Sequence, residues 1–413
     1  MNGRIGRDEP GMGRAVEKAD LKRQFEQELT RNILPFWMTH AVDEANGGLH
    51  GAVANDLRVD DDVPRSAVLC ARVLWTFSAA YRRLGDPAYL AMAQRTLDDL
   101  SRVFWDPEHG GLYWQVDRRG RPVADRKHHY AQAFGIYGLS QFHRATGEPR
   151  SLRLAQQLFR LLEDHAYDPA GGGYFEGSTR DWRRLTGARL SDEDPDAGKS
   201  TNTMLHILEA YTNLLRAWDD ERLRRRIEGL VRTFSRRILD PRTGHLGLFF
   251  DERWRSLSET ASFGHDIEAS WLLCEAAEVG GDPALREEAR RVAAGLADAV
   301  YRDGLDADGS LVNEGSPGGR IDDGRDWWPQ AEGIVGFYNA YQLTGEERFA
   351  EAAIRCWDYV QDRFVDRTHG DWFKHLSPDG RPDPARYKAG PWDCPYHHSR
   401  ACLEMLDRLD EPE

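Results

Sequence analysis

Three histidines stand at or just inside the openings of predicted helices. His265 lies in Ser262-Phe-Gly-His-Asp-Ile-Glu268, His397 in Pro395-Tyr-His-His398, and His206 one turn beyond Ser200-Thr-Asn202. An imidazole at a helix N-terminus meets the positive end of the macrodipole, stays neutral near pH 7 and accepts a proton. Two such rings on opposite sides of one carbon can take a proton from one face and return one to the other. A third histidine and a nearby arginine can stabilise the oxyanion formed in between. Each residue alone has a plainer role: Asn202 as a cap, Glu268 as an ion-pair partner, His206 as a satisfied core histidine. Their convergence from separate helices is what packing does not explain. A metal site is the rival reading, but no HExxH or other tightly spaced ligand pair is present, and adjacent His128 and His129 face different sides of any helix. No GxSxG occurs and no cysteine has an obvious base beside it, which disfavours a nucleophile.

The elements that position these residues repeat. Asp43-Glu-Ala-Asn-Gly-Gly-Leu-His50 returns as Asp106-Pro-Glu-His-Gly-Gly-Leu-Tyr113, Asp168-Pro-Ala-Gly-Gly-Gly-Tyr-Phe175, Asp240-Pro-Arg-Thr-Gly-His-Leu-Gly247, a weaker copy from Asp303, and Asp366-Arg-Thr-His-Gly-Asp-Trp-Phe373. The leading aspartates are 63, 62, 72, 63 and 63 residues apart. Asp-Pro and Gly-Gly form turns, and the apolar pair after them reads as a hairpin arm. Between these marks lie segments such as Arg82-Arg-Leu-Gly-Asp-Pro87 and Arg144-Ala-Thr-Gly-Glu-Pro149, which read as a helix C-terminal Gly followed by a new helix start. The remaining stretches carry apolar residues at three-to-four spacing, as over Ala67 to Leu84.

A period near 63 residues therefore encodes helix, short loop, helix, long loop. The first helix of each pair is richer in small and apolar residues and the second is more charged, which suits an inner and an outer layer. The sequence predicts an all-α, single-domain (α/α)6 barrel of six helical hairpins over 1–413, with an ordered core over about 20–408 and a polar N-terminal tail over 1–19. An open α-solenoid is the alternative. In a ring the six helix openings face one mouth, and Arg65, Asn202, His265, Glu268, Trp328, Glu332 and His397 converge on one cavity, with His206 a turn deeper and Tyr130 at another opening.

Composition narrows the partner. Net charge is −14 without a dominant basic block, which argues against nucleic acid and anionic membranes. No run approaches the roughly 20 apolar residues of a membrane span, and the polar, Gly-rich first 20 residues lack a signal-peptide core. Five scattered cysteines without a CxxC pair suit buried thiols in a reducing cytoplasm. Thirteen tryptophans and fourteen tyrosines suit a helical core and also a sugar cleft, where flat rings meet pyranose C–H faces.

Asn202-Thr-Met-Leu-His-Ile-Leu-Glu-Ala-Tyr211, Ser262-Phe-Gly-His-Asp-Ile-Glu-Ala-Ser270, Trp327-Trp-Pro-Gln-Ala-Glu332 and Gly390-Pro-Trp-Asp-Cys-Pro-Tyr-His-His-Ser-Arg400 resemble the cellobiose 2-epimerases, within the N-acylglucosamine 2-epimerase superfamily that also holds bacterial mannose isomerases. The likeness runs from about Phe36 to Leu406. It implies an (α/α)6 barrel, no cofactor and a sugar substrate; no metal is expected from the ligand spacing, and a monomer or homodimer is the expected assembly. It implies removal of the C2 proton of a ring-opened reducing-end sugar to an enediolate and return to the opposite face. By resemblance His265 and His397 are the acid–base pair, and His206 and Arg65 bind the C1 and C2 oxygens. Asn202, Glu268, Trp328 and Trp392 surround the sugar, Glu314 lies near the outer sugar, and Tyr130 is a further contact. Met204 and His398 depart from the expected histidine and asparagine, with an expected effect on how the pocket takes a second sugar. A monosaccharide mannose 2-epimerase, a mannose or glucose–fructose isomerase, a glycoside hydrolase and a non-catalytic scaffold are the other readings.

Overall fold

Ser66, Ser200 and Ser262 each accept a backbone N–H from three residues ahead, which starts a helix. Gly85, Gly147, Gly281 and Gly345 end helices in the left-handed conformation, φ 76°, 74°, 85° and 73°. Asp86, Glu148, Asp220 and Asp282 cap the helices that follow, three of which have proline in the first turn. The computed structural model describes residues 10–191 and 194–411, with side chains from residue 18. Its helices are α1 (Pro10–Glu28), α2 (Leu34–His40), α3 (Ala67–Leu84), α4 (Pro87–Asp99), α5 (His129–Thr146), α6 (Pro149–His165), α7 (Thr201–Leu215), α8 (Glu221–Thr233), α9 (Phe263–Gly280), α10 (Pro283–Asp303), α11 (Trp327–Thr344), α12 (Glu347–Tyr359) and α13 (Tyr396–Asp410). A π-helical turn, Leu29–Ile33, joins α1 and α2 into one rod. Of the segment expected as a polar tail, residues 1–9 lie outside the described residues and the backbone is helical from Pro10.

The helices close an (α/α)6 barrel. The inner ring runs α3, α5, α7, α9, α11, α13 and back to α3, and each inner helix packs on an outer one, with α1 serving α13. The two ends of the chain thus complete one hairpin. Inner helices are buried along most of their length, as in Ala67–Ala80 of α3. Outer helices bury one stripe: α8 buries Leu223, Ile227, Leu230 and Val231. Gly138 and Gly336 let inner helices touch, since a Cβ there would lie 2.6 Å from the carbonyls of Ala71 and Ile267.

At the mouth the repeat is one of hairpins. Val42 pairs with Leu49, Trp105 with Leu112, Tyr167 with Tyr174, Leu239 with Leu246, Leu305 with Leu311 and Val365 with Trp372. The fifth hairpin starts at Asp306, not at the expected Asp303: Asp306 donates its N–H to the Ser310 carbonyl and accepts that of Gly309. This turn is one residue shorter than the others, and Asp303 ends α10. A short strand precedes each inner helix and pairs with the strand after the next hairpin; in the last pairing the three-residue Tyr387–Ala389, set apart from α13 by residues 390–395, joins Ala52–Ala54 and closes the circle.

In four units that strand carries a cation that bonds the hairpin aspartate. Lys127 reaches Asp106 at 2.9 Å, Lys199 Asp168 at 2.7 Å, Arg325 Asp306 at 2.5 Å, and Lys388 Asp366 at 2.7 Å. The three lysine pairs are out of water, whereas Asp306 is partly exposed, so in those three losing one partner strands the other's charge. Lys388→Met, which leaves Asp366 buried without its lysine, is expected to destabilise the fold by about 3–5 kcal/mol, read as a fall in the thermal midpoint; an unchanged midpoint would contradict the lock.

Candidate active site

Seven residues after the start of each pre-helix strand stand Arg72, Phe134, His206, Glu268 and Glu332. In the last unit Gly390–Cys394 intervene, and the equivalent residue is Arg400. These six side chains form the floor of the mouth. The Arg72 guanidinium lies 4.2 Å from the Phe134 ring, and that ring lies 4.7 Å from His206. Arg400 donates to Glu268 at 2.5 Å and to Glu332 at 2.7 Å. A turn nearer the opening, Tyr130, Asn202, His265, Trp328 and His397 line the walls of a cavity of about 370 Å³, within the roughly 300–1,000 Å³ of small-molecule sites.

Each imidazole is held at one nitrogen. His397 donates its Nδ1–H to Glu332 at 2.7 Å, and His206 donates its own to Glu209 at 2.9 Å. His265 Nδ1 meets the Ser262 hydroxyl at 2.9 Å. The Trp328 ring lies 4.8 Å from His265 and 5.5 Å from His397. Burial, then the nearby His206, pushes His265 down to about 3. Burial takes His206 to about 4 against the pull of Glu209. Burial, with Arg72 and Arg400 close by, takes His397 well below the ordinary imidazole value. All three rings are therefore neutral at pH 7, the form in which an imidazole can accept a proton.

The carboxylates beneath are ordered by Arg400, itself 1 % exposed. It bonds Glu209, Glu268, Glu332 and the Tyr396 hydroxyl. Burial and then Glu332 push Glu268 up to about 8 in spite of Arg400. Burial alone would raise Glu209, but Arg400 and His206 outweigh it and hold it near 2. Glu268, Glu332 and His397 lie close enough to share an ion, yet one guanidinium nitrogen of Arg400 already bonds both carboxylates. The same contact counts against a hydrolase pair, because two carboxylates on one nitrogen do not straddle a glycosidic bond.

Arg72 has the opposite surroundings. It is buried, donates to the Tyr130 hydroxyl at 2.6 Å and to the Cys394 sulfur at 3.5 Å, and its Nε has no partner. No carboxylate pairs with it among the described residues, so its charge is available to an oxyanion.

The structure brings His206, His265, His397, Asn202, Glu268, Trp328, Trp392 and Tyr130 to the cavity, and the Asn202 carbonyl oxygen there has no partner. It does not bring Arg65. That residue is the strand cation of the first unit; it bonds Asp99 at 3.1 Å and the Gly47 carbonyl at 3.3 Å, outside the cavity. The arginine of the site is Arg72, one layer inward. Glu314 sits on the rim strand opposite Ser262 and does not line the cavity. Met204 and His398 do not shape the pocket either: Met204 sulfur accepts the Tyr174 N–H, and His398 bonds Asp371 at 2.6 Å. Both grip the neighbouring hairpin, as Gln132 grips Leu112 and Gln330 grips Leu311. Sequence reasoning missed Arg72, Arg400, Glu209, Lys374 and Asp393. Superposing the inner helices by their strand starts would have found Arg72, which falls in the register of His206 and Glu268; Arg400 needs the insertion Gly390–Cys394 to be recognised first.

Residues 47–401 match the family described as N-acylglucosamine 2-epimerase (GlcNAc 2-epimerase). The cellobiose 2-epimerase of Bacteroides fragilis is 45% identical over 387 residues, 94% of this chain and 98% of that protein. The structure of cellobiose 2-epimerase from Bacillus thermoamylovorans superposes with a TM-score of 0.89 at 41% identity, over 94% of this chain and 100% of that one. A D-mannose isomerase shares the fold, with a TM-score of 0.83 at 20% identity, over 94% of this chain and 98% of that one.

Imidazole nitrogen NMR is expected to show His206, His265 and His397 neutral at pH 7, each with a midpoint below about 5. A midpoint at or above 6.5 for any of them would contradict this account of the burial.

Proposed function

The chain belongs to the N-acylglucosamine 2-epimerase family, and we propose that within it the chain works as a cellobiose 2-epimerase. It is an isomerase that interconverts the glucose and mannose configurations at C2 of the reducing-end residue of β-1,4-linked disaccharides. The observation that carries the reading is the unequal anchoring of two imidazoles around Trp328.

His397 gives its Nδ1 proton to the Glu332 hydrogen bond, so Nε2 keeps a lone pair for the cavity. The Ser262 hydroxyl, which also accepts the His265 amide, is taken as the donor to His265 Nδ1. That leaves the His265 proton on Nε2, facing the site. His397 therefore removes the C2 proton of the open-chain sugar and His265 returns one to the other face. In the reverse direction the two exchange roles. The C2–H electron pair becomes the enediolate π bond while the carbonyl oxygen takes the charge. Arg72 lies uncompensated to meet that charge, and His206, its Nδ1 proton held by Glu209, presents the Nε2 lone pair to a substrate hydroxyl. Trp328 and Trp392 supply flat faces for the two pyranose rings, with Trp392 5.9 Å from Tyr130 and 5.8 Å from Trp114.

The same proposal takes the partner as a small sugar, the protein as a monomer or homodimer, and its compartment as the cytoplasm. Net charge of −14 and five unpaired thiols support it. No helix of the described residues is long and apolar enough to cross a membrane.

The test is NMR of EDTA-treated protein with cellobiose in D2O. Deuterium at C2 with glucose–mannose interchange is expected; fructose formed with label at C1 would replace epimerisation by isomerisation, and turnover of mannose alone would make the substrate a monosaccharide. Without exchange the proton-transfer reading fails. His265→Asn and His397→Asn are each expected to lower kcat by about 10²–10⁴, and Arg72→Gln by about 10²–10³. Arg65→Gln, by contrast, is expected to lower the thermal midpoint, because Asp99 is left buried and unpaired, and to spare kcat relative to Arg72→Gln.

A further inference from the structure

The residue that follows each proton-transfer histidine belongs to a buried acid–imidazole pair, and the two pairs are mirror images. After His265, the helix supplies Asp266 and the hairpin supplies His245, 2.6 Å apart. After His397, the helix supplies His398 and the hairpin supplies Asp371, 2.6 Å apart. In the other inner helices this gripping position holds Cys70, Gln132, Met204 and Gln330.

The two pairs differ in what backs them. Asp371 also takes Lys374 and the Trp37 indole, so its charge is balanced without any proton on His398. The pair beneath His265 has no lysine. Its strand cation is replaced by Ala261, and His245 stands where Gly111 and Gly173 stand in their hairpins. His245 lies between Asp266 of α9 and Asp303 at the end of α10, the latter at 3.0 Å. Arg302 bonds Asp303, and Asp240 and Arg242 pair within the hairpin itself. Asp266 in turn accepts the Leu246 N–H at 2.9 Å. Among the described residues, a protonated His245 thus joins hairpin, α9 and α10 at this point, where Arg302 of α10 also reaches the Thr243 carbonyl of the hairpin at 3.4 Å. His245 lines a surface groove, so solvent can deliver that proton.

We propose that His245 is a positioning residue for His265: protonated, it draws the first turn of α9 onto the hairpin, and deprotonated, it releases that turn. The inference rests on the reading of His265 as an acid–base group. Its sign follows from the charges. Burial lowers the His245 imidazole, but Asp266 and then Asp303 outweigh it and raise it above the ordinary value. The stabilisation is complete below the unfolded value near 6.5 and is lost as pH rises through the folded one. The proton-transfer histidines titrate far lower and give only an acid limb. Glu268, pushed up to about 8, also loses its proton on the alkaline side, so a variant must separate it from His245.

Asp303→Asn does so, because Asp303 touches His245 and not Glu268, and it lies at the surface. For the whole chain with saturating cellobiose, kcat is measured from pH 5 to 9.5. Wild type is expected to show an alkaline limb, and Asp303→Asn to move it about one unit toward acid with the plateau and KM unchanged. His245→Gln is expected to lower the plateau and abolish the limb. Hydrogen exchange of residues 261–268 supplies a readout independent of turnover, and it should accelerate above the His245 titration in wild type and at lower pH in Asp303→Asn. A limb and an exchange transition unmoved by Asp303→Asn, or their absence in wild type, would overturn the proposal. Absent turnover of cellobiose with the exchange transition intact would instead overturn the assigned reaction.

Discussion

The guanidinium of Arg400, removed from water at the barrel axis, bonds three buried carboxylates. In a low-dielectric interior such a cluster is strongly self-attracting only while every member stays, and deleting one partner costs roughly 3–5 kcal/mol. Two of its carboxylates, Glu209 and Glu332, also take the Nδ1 protons of His206 and His397. The tautomer and tilt of both rings are therefore inherited from Arg400. One positive charge cannot balance three negative ones, and the surplus is reduced by Glu268, which burial and Glu332 keep protonated up to about pH 8.

Arg72 occupies the same register on the neighbouring inner helix and has the contrary role. Its partners are a phenol, a thiol and three aromatic faces. None of these cancels its charge. Two arginines at equivalent positions thus divide the work: one is neutralised and organises the floor, the other is left uncompensated and faces the place where negative charge develops. The aromatic belt around Arg72 excludes water, which strengthens that attraction.

The mouth must stay rigid for this arrangement to serve. Inner helices end there in open N–H groups, and short strands with cation–aspartate locks hold their first turns in place. The fourth unit departs, with Ala261 in place of the cation and His245 drawn into the lock from the other side. That departure falls under His265, one of the two proton-transfer rings.

The sequence by itself determined the barrel and most of the site. A period near 63 residues, Gly caps and Asp-Pro turns are local signals, and local hydrogen bonds enforce them wherever the chain folds. The helix openings likewise made His265, His397, Asn202 and Trp328 visible, because residues beside a turn reach a mouth in any ring of hairpins. Residues in the interior of a helix were less legible. Arg65 and Arg72 lie seven apart, and both are buried arginines at the start of one inner helix. Only the packing decided between them: Asp99 and the Gly47 carbonyl lie beside one, and no carboxylate lies beside the other. His398 and Met204 were misjudged for a related reason, since a step of one residue along a helix turns a side chain about 100° from cavity to hairpin. The charge balance at Arg400 joins α7, α9, α11 and α13, residues as far as 191 apart in the chain, and such a sum exists only once the ring has closed.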